Sequence, residues 1–473
     1  MHPAISQLGS DRVRAMTDQN EPDTRDDDYE LDPDIVAAVV ESAGVRDRVA
    51  VMALMADLHV ADIADLLEQI DSEARRALVD LVWADIDKEV LAELEEGVRD
   101  DILRILDPGQ VAEAVRDLDS DDAVYLVEDL TPEEQEQVLA ALDPADRSVI
   151  EQSLTFPEYS AGRLMQRELV KAPPFWTVGQ MIDFMRAADD LPAKFYEVMV
   201  VDARARPIGK VPLAAIMGAR RPVTLSSLMD ENFRTIGVME PQEDVAYAFN
   251  QYHLVSAPVV DEDGRLIGVI TIDDAMDVLE DEAEEDLKRL GGVGDEEISD
   301  QVWAITKRRF PWLAVNLVTA ILASVVIGLF DEAIAQLVAL AILMPIVASM
   351  GGNGGTQSLT VAVRAIATRD LTPTNAWRVV MRETLVGLAN GLVFAVVIGF
   401  IAWGWFGDPM LGVVIAIAMI INMLAAGMAG ILIPIGLDRV GADPALASGA
   451  FVTTVTDVVG FFAFLGLAVL LLL

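Results

Sequence analysis

Phe451-Val-Thr-Thr-Val-Thr-Asp-Val-Val-Gly460 lies inside an apolar stretch, Ala445–Leu473, that is long enough to cross a bilayer as a helix. Asp457 is the only acidic residue of that stretch, which holds no basic residue. An ionised carboxylate at bilayer depth costs at least about 3 kcal/mol, so such a group is expected to face a watery cavity or an ion rather than to pair with a partner helix. Thr453, Thr454 and Thr456 add hydroxyl oxygens close by. An oxygen-only donor set suits a hard cation. The bland alternative is an Asp that caps a broken helix, and the default for intramembrane ionisable groups runs against it.

Four more apolar segments precede this one, roughly Trp312–Phe330, Ala333–Met350, Leu385–Phe406 and Met410–Leu437. Each is near or above the length that a spanning helix needs. Lys307, Arg308 and Arg309 stand before the first; Arg364, Arg369, Arg378 and Arg382 stand between the second and third; Arg439 stands before the last. The other two connections carry no Lys or Arg. This alternation predicts a multi-pass protein of the cell membrane, with a cytoplasmic N-terminus and an external C-terminus. The second segment runs into Gly351-Gly-Asn-Gly-Gly-Thr-Gln-Ser358. Four glycines in five positions predict a break in the helix. The break reads either as ion-coordinating backbone at membrane depth or as a cytoplasmic loop.

The chain carries 77 acids and 34 bases, a net charge of −43. From Phe310 onward the net is only −3, so the first 309 residues carry −40. That charge argues against nucleic acid as a partner. Zero cysteines exclude disulfides and thiolate metal sites, and three histidines serve transition metals poorly. Oxygen-ligated Mg²⁺ or Ca²⁺ remains open. The polar, acidic start lacks a secretory leader pattern, which places the soluble half in the cytoplasm.

The acidic half divides by pattern. Residues 1–33, with Asp26-Asp-Asp, read as a disordered tail. Residues 34–155 show apolar positions three and four apart, punctuated by Asp107-Pro-Gly, Thr131-Pro-Glu-Glu and Asp143-Pro-Ala. They predict a superhelix of short helices. Residues 156–225 and 226–286 form two α/β units that repeat at about sixty residues. A linker helix is expected over 287–310, ahead of a five-span domain at 311–473. Asp274, Asp277, Asp281 and Glu285 fall on one helical face, where crowded carboxylates repel and a divalent cation would relieve them; a solvated acidic face is the plainer reading.

The second unit resembles a CBS module over Ser256-Ala-Pro-Val-Val-Asp-Glu-Asp-Gly-Arg-Leu-Ile-Gly-Val-Ile-Thr-Ile-Asp-Asp274. The first is a looser copy, whose turn Asp202-Ala-Arg-Ala-Arg-Pro lacks the usual glycine. The resemblance implies a regulatory pair, with an adenine nucleotide such as ATP contacting Asp273 through its ribose. Helical domain, CBS pair, linker and five spans together resemble an MgtE-type magnesium channel, most specifically at Gly351–Ser358 and at Asp443-Pro-Ala-Leu-Ala-Ser through Asp457. The resemblance implies a homodimer in lipid, with Mg²⁺ as cargo and a pore on the two-fold axis closed by cytoplasmic Mg²⁺. It implies Asp457 and Asp443 as pore acids and Asn353, Thr356, Thr453 and Thr454 as pore-lining groups. Asp274, Asp277, Glu282, Glu285 and Asp286 become regulatory ligands by the pattern Asp-x-x-Asp-x4-Glu-x-x-Glu-Asp, joined by Glu243, Glu89 and Asp121. His253 and Gly449 depart from the family pattern, which has acidic and polar residues there. Three other readings compete: an exporter or exchanger of Co²⁺ or another divalent ion, a CBS nucleotide sensor without transport, and a membrane enzyme. A single carboxylate in the spans argues against an aspartyl protease, which needs two at one site.

Overall fold

A computed structural model describes residues 31–473 apart from 189, 190, 193 and 295–301. The tail expected over 1–33 therefore lies almost wholly outside the described residues, as does part of the expected linker. The chain divides into two compact units, one ending at Leu279 and the other starting at Glu280.

The first unit begins with nine short helices: α1 (Pro33–Gly44), α2 (Arg48–Met55), α3 (Val60–Gln69), α4 (Ser72–Val82), α5 (Glu96–Leu103), α6 (Pro108–Asp117), α7 (Ser120–Glu128), α8 (Pro132–Ala141) and α9 (Pro144–Ser153). Local chemistry sets their starts. Asp32, Asp47, Asp71 and Asp107 accept hydrogen bonds from first-turn amides. Pro33, Pro108, Pro132 and Pro144 occupy the first turn, where a missing N–H has no consequence. Each helix then contributes one apolar stripe to a common core that includes Val51, Leu66, Leu78, Val90, Ile102 and Val124.

After a short helix α10 (Ala161–Leu164), two units of the same topology follow. The first holds β1 (Lys171–Ala172), α11 (Val178–Ala187), β2 (Glu197–Val201), β3 (Pro207–Pro212) and α12 (Leu213–Gly218). The second holds β4 (Ile236–Gly237), α13 (Gln242–Tyr252), β5 (Ser256–Val260), β6 (Leu266–Thr271) and α14 (Ile272–Leu290). In each, a parallel pair is followed by an antiparallel one, and the register slips at equivalent places, Val200/Val201 and Val259/Val260. The hairpin turns also correspond. The second uses Gly264 at φ +74°, whereas the first places Ala205 at φ +60°. The looser copy thus keeps the turn geometry without the residue that adopts it freely. His253 sits at φ +52° as the left-handed cap of α13, a conformation in which His is enriched.

The second unit contains α15 (Val302–Gly328), a short α16 (Asp331–Gln336), α17 (Ala339–Ala367), α18 (Ala376–Phe406), α19 (Pro409–Arg439) and α20 (Pro444–Leu471). Among the described residues, five of these helices are long and apolar enough to cross a membrane. Three expectations change. The linker over 287–310 is not one helix: α14 ends at Leu290 before the turn at Gly292, and 302–310 open α15, which continues through Pro311. The second and third spans are longer than their apolar cores, because helix hydrogen bonding runs on past the hydrocarbon thickness to the arginine-bearing ends.

The third change matters most. The glycine run 351–355 is continuous helix inside α17. Its glycines serve packing rather than breakage. A Cβ on Gly351 would lie 2.2 Å from Asn422 Nδ2, and one on Gly355 would lie 2.5 Å from Val452 Cγ1. Apolar surroundings offer the backbone no alternative to its own helical hydrogen bonds, which offsets the propensity loss. The α18–α19 contact works the same way: a Cβ on Gly387 would lie 2.5 Å from Met423 O, and one on Gly427 would lie 2.7 Å from Glu383 O. Close approach at small residues is how spanning helices associate without a hydrophobic driving force.

Candidate functional site

Two sets of polar groups stand out, one in each unit. In the membrane unit, Asp443 caps α20 by accepting from Ala445 N at 2.7 Å. Its other oxygen accepts from Arg289 Nη1, at the end of α14, at 2.5 Å. Arg289 also pairs with Glu285. One guanidinium therefore ties an acid of the expected sensor cluster to the cap of the last span. Fourteen residues on, Asp457 is half-buried within the span. Among the described residues its carboxylate has no hydrogen bond or ion pair. Thr453 beside it is exposed, whereas the Thr454 hydroxyl donates to Ala450 O at 2.6 Å and keeps only its lone pairs for a ligand. Thr456 is fully buried and donates to Thr453 O.

On α17, Ser349, Asn353, Thr356, Gln357 and Thr360 fall on one side, and all are exposed. Thr356 donates to Gly352 O at 3.0 Å, and Thr360 to Thr356 O at 3.0 Å. A polar stripe on a spanning helix does not face lipid; it faces water or protein. α17 packs against α20, and the stripe and Asp457 each offer oxygen donors, alone or with amides. Gly449 also lies on α20.

The spans hold a buried acid that sequence reading did not single out. Glu383 on α18 is 8% exposed, accepts from Ser358 Oγ of α17 at 3.1 Å and pairs with Arg382. The adjacent Arg382-Glu383 is the only sequence signal for it.

In the soluble unit, Asp121 and Asp122 sit in the first turn of α7, and Asp274 sits in the first turn of α14. Asp274 accepts from Thr271 N at 3.1 Å and Thr271 Oγ1 at 2.7 Å. Burial, opposed by those bonds and reinforced by Asp273 and Asp277, still raises it to about 6. Burial first, then the Asp274 and Asp119 carboxylates, raises Asp122 to about 7. Burial, with Asp274 and Asp122 adding, pushes Asp121 well above the usual carboxylate range. Desolvated carboxylates that raise one another's pKa are a place where a divalent cation would be welcome. Asp119 and Asp122 were missed in the sequence, since Asp119-Ser-Asp-Asp reads as an ordinary acidic helix start.

Of the other expected ligands, Glu89 and Asp277 lie near enough to act on Asp122 and Asp274, and the rest are dispersed. Glu89 pairs with Lys194 of the first CBS-like unit at 3.0 Å. Glu243 is exposed in the first turn of α13. Asp277, Glu282, Glu285 and Asp286 all lie on α14. Among the described residues no three acidic or histidine side chains converge enough to hold a metal ion. The fold therefore brings Asp121, Asp274, Asp277 and Glu89 into one neighbourhood, and among the described residues it does not assemble a complete ligand set within one chain. Asp273 is exposed and accepts from Thr271 Oγ1. Beside it a small cleft is lined by Gln166, Lys194, Tyr196, Glu197, Ser256 and Thr271. Ser256 Oγ donates to Glu197 Oε1 at 2.5 Å across the two units, at equivalent positions of β5 and β2.

These features have counterparts in known proteins. Residues 344–467 match a divalent cation transporter domain, 58–159 an MgtE intracellular N domain, and 225–281 a CBS domain. A magnesium transporter MgtE of Thermus thermophilus is 34% identical over 338 residues, 70% of this chain and 74% of that protein. One of Enterococcus faecalis is 32% identical over 67% of this chain and 70% of its own length. The solved cytosolic domain of the Mg²⁺ channel MgtE in complex with ATP is 28% identical at a TM-score of 0.48, covering 51% of this chain and 99% of that one. On the identity and reach of the two transporters, the chain is a member of the MgtE family of magnesium transporters.

Proposed function

We propose that this protein conducts Mg²⁺ across the cell membrane and is closed by Mg²⁺ bound to its cytoplasmic acids. The observation that carries the reading is Asp457: a carboxylate at mid-span, without a counter-ion among the described residues, on the helix that packs against the polar-striped α17. Mg²⁺ gives up its waters reluctantly and is held by one or two carboxylates with waters retained. Two copies of Asp457 across a dimer axis would supply that field. The exposed stripe through Asn353 and Thr356 supports the dimer, because it needs water or a second chain against it. Asp443 stands at the cytoplasmic end, given the positive-inside orientation. Family membership favours transport over catalysis.

The regulatory half follows from charge. Without a cation, Asp121, Asp122 and Asp274 oppose one another and push the first turns of α7 and α14 apart. A bound Mg²⁺ neutralises them and draws the two turns together. α14 then carries the change to Arg289 and, through Asp443, to the span that bears Asp457. Asp277, Glu282, Glu285, Asp286, Glu243 and Glu89 would contribute ligands with a second chain or through water. The domain limits 34–155, 156–225, 226–286 and 311–473 are adopted with this scheme. ATP is proposed at the cleft beside Thr271 and Asp273.

Flux into liposomes tests the pore. Asp457→Asn should lower Mg²⁺ flux by roughly 100-fold, since one unit charge about 5 Å from the ion is worth about 3 kcal/mol at an intermediate dielectric. Unaltered Mg²⁺-selective flux would remove Asp457 from the ion path.

A further inference from the structure

Asn422 of α19 is 0% exposed and touches both helices that carry the candidate pore groups. Its Nδ2 donates to Val347 O of α17 at 2.8 Å. A Cβ on Gly351 of α17 would lie 2.2 Å from Nδ2, and a Cβ on Gly460 of α20 would lie 2.7 Å from it. Gly351 is two residues before Asn353, and Gly460 is three residues after Asp457. One flat amide is thus clasped between two glycine faces, each within a turn of a candidate pore group. Its Oδ1 is buried and has no partner among the described residues.

That orphan oxygen separates this residue from ordinary interhelical glue. A dry, unpaired acceptor is unfavourable, and the bilayer offers no water to satisfy it. A leucine, close in volume, would remove the penalty along with the single hydrogen bond. Stability alone therefore does not explain an asparagine here. Geometry does: an amide is planar and thin where the branched methyls of leucine are thick, and neither glycine leaves room for the difference.

We propose that Asn422 is a positioning residue for ion passage, a spacer that fixes the distance between the Asn353 stripe and Asp457. It touches no ion and acts through Gly351 and Gly460. The proposal rests on the reading of Asp457 as the pore acid. It predicts an effect on selectivity, because a hydrated ion is sorted by the spacing of the oxygens that face it.

The test uses the full chain, purified as a monodisperse species and reconstituted in liposomes, with Mg²⁺ and Ca²⁺ fluxes measured separately. Asn422→Leu should lower Mg²⁺ flux at least tenfold and reduce the Mg²⁺ to Ca²⁺ flux ratio severalfold in protein that still folds. A folded Asn422→Leu protein with the original flux ratio overturns the proposal. A second comparison stands even if that variant fails to fold. Gly460→Ala crowds Asn422, Asn422→Ala slackens the clasp, and the two changes partly fill for each other. The double variant should be clearly less impaired than the product of the singles, and a simple product overturns the proposal. Asp457→Asn, run alongside, separates the two readings. If it leaves selective flux intact, the pore reading fails and takes this one with it. If it abolishes selective flux while Asn422→Leu conducts with the original ratio, only the positioning role fails.

Discussion

The sharpest expectation concerns pH and the acids between α7 and α14. Asp122 is raised from an ordinary 3.8 to about 7, chiefly by burial and then by Asp274. Its folded form therefore binds a proton that its unfolded form has lost. Between those two values the folded state holds more protons, so stability falls as pH rises, and the full penalty is present above the folded pKa. One unit is worth about 1.4 kcal/mol, and pH 5 already lies above the unfolded value, so the penalty from Asp122 grows by about 3 kcal/mol between pH 5 and pH 8. In a unit of this size that corresponds to a transition on the order of 10 °C lower than at pH 5. Mg²⁺ at the cluster should cancel the penalty, because a cation favours the ionised form. The assay is calorimetry of the full chain in detergent micelles, in chelator and in excess Mg²⁺, at pH 5 and pH 8. In chelator the first transition should drop with pH; in Mg²⁺ it should be nearly level, so that the Mg²⁺ increment is much larger at pH 8. Ordinary carboxylates are already ionised across this window. Asp122→Asn should flatten the chelator curve, which isolates the site from any histidine contribution. A Mg²⁺ increment equal at both pH values would refute the cluster as a cation site.

Further expectations follow from single contacts. Arg289→Gln breaks the bridge to Asp443 and Glu285; for a partly exposed pair worth about 1 kcal/mol, the cytoplasmic Mg²⁺ needed to halve the flux should rise about fivefold. An unchanged closing curve would dissociate α14 from the gate. Ala205→Gly relieves a left-handed alanine and should stabilise the soluble unit by about 1 kcal/mol, read as a higher first transition. Gly427→Val drives methyls into the backbone of Glu383 and should prevent recovery of monodisperse protein, whereas Gly436→Ala, at an open position, should not.

The spans were legible because hydropathy and positive charge are read locally, residue by residue along one chain. The CBS-like units were legible because a repeat shows the same strand, turn and strand twice, down to the bulges at Val200 and Val259. The glycine run misled because helix propensity is measured in water. Within α17, Gly351 and Gly355 stand four apart, as Gly387 and Gly391 do in α18, and that spacing is the signature of close helix contact in a membrane. Spacing, rather than glycine content, was the signal to weigh.

What no local reading supplies is which of so many acids are desolvated. Asp122 and Asp274 are 152 positions apart, and Arg289 and Asp443 are 154 apart. Most of the charge on the soluble half is solvated and screened, and a solvated carboxylate attracts Mg²⁺ weakly because water already satisfies both partners. A sensor needs carboxylates that folding has stripped of water without giving them a permanent cation. Glu89, Glu284 and Glu285 already have lysine or arginine partners. Asp121, Asp122 and Asp274 have amides, a hydroxyl and one another. The dense run on α14 drew attention in the sequence by its charge. The smaller group at its first turn is better suited to sensing by its burial, and only the fold distinguishes the two.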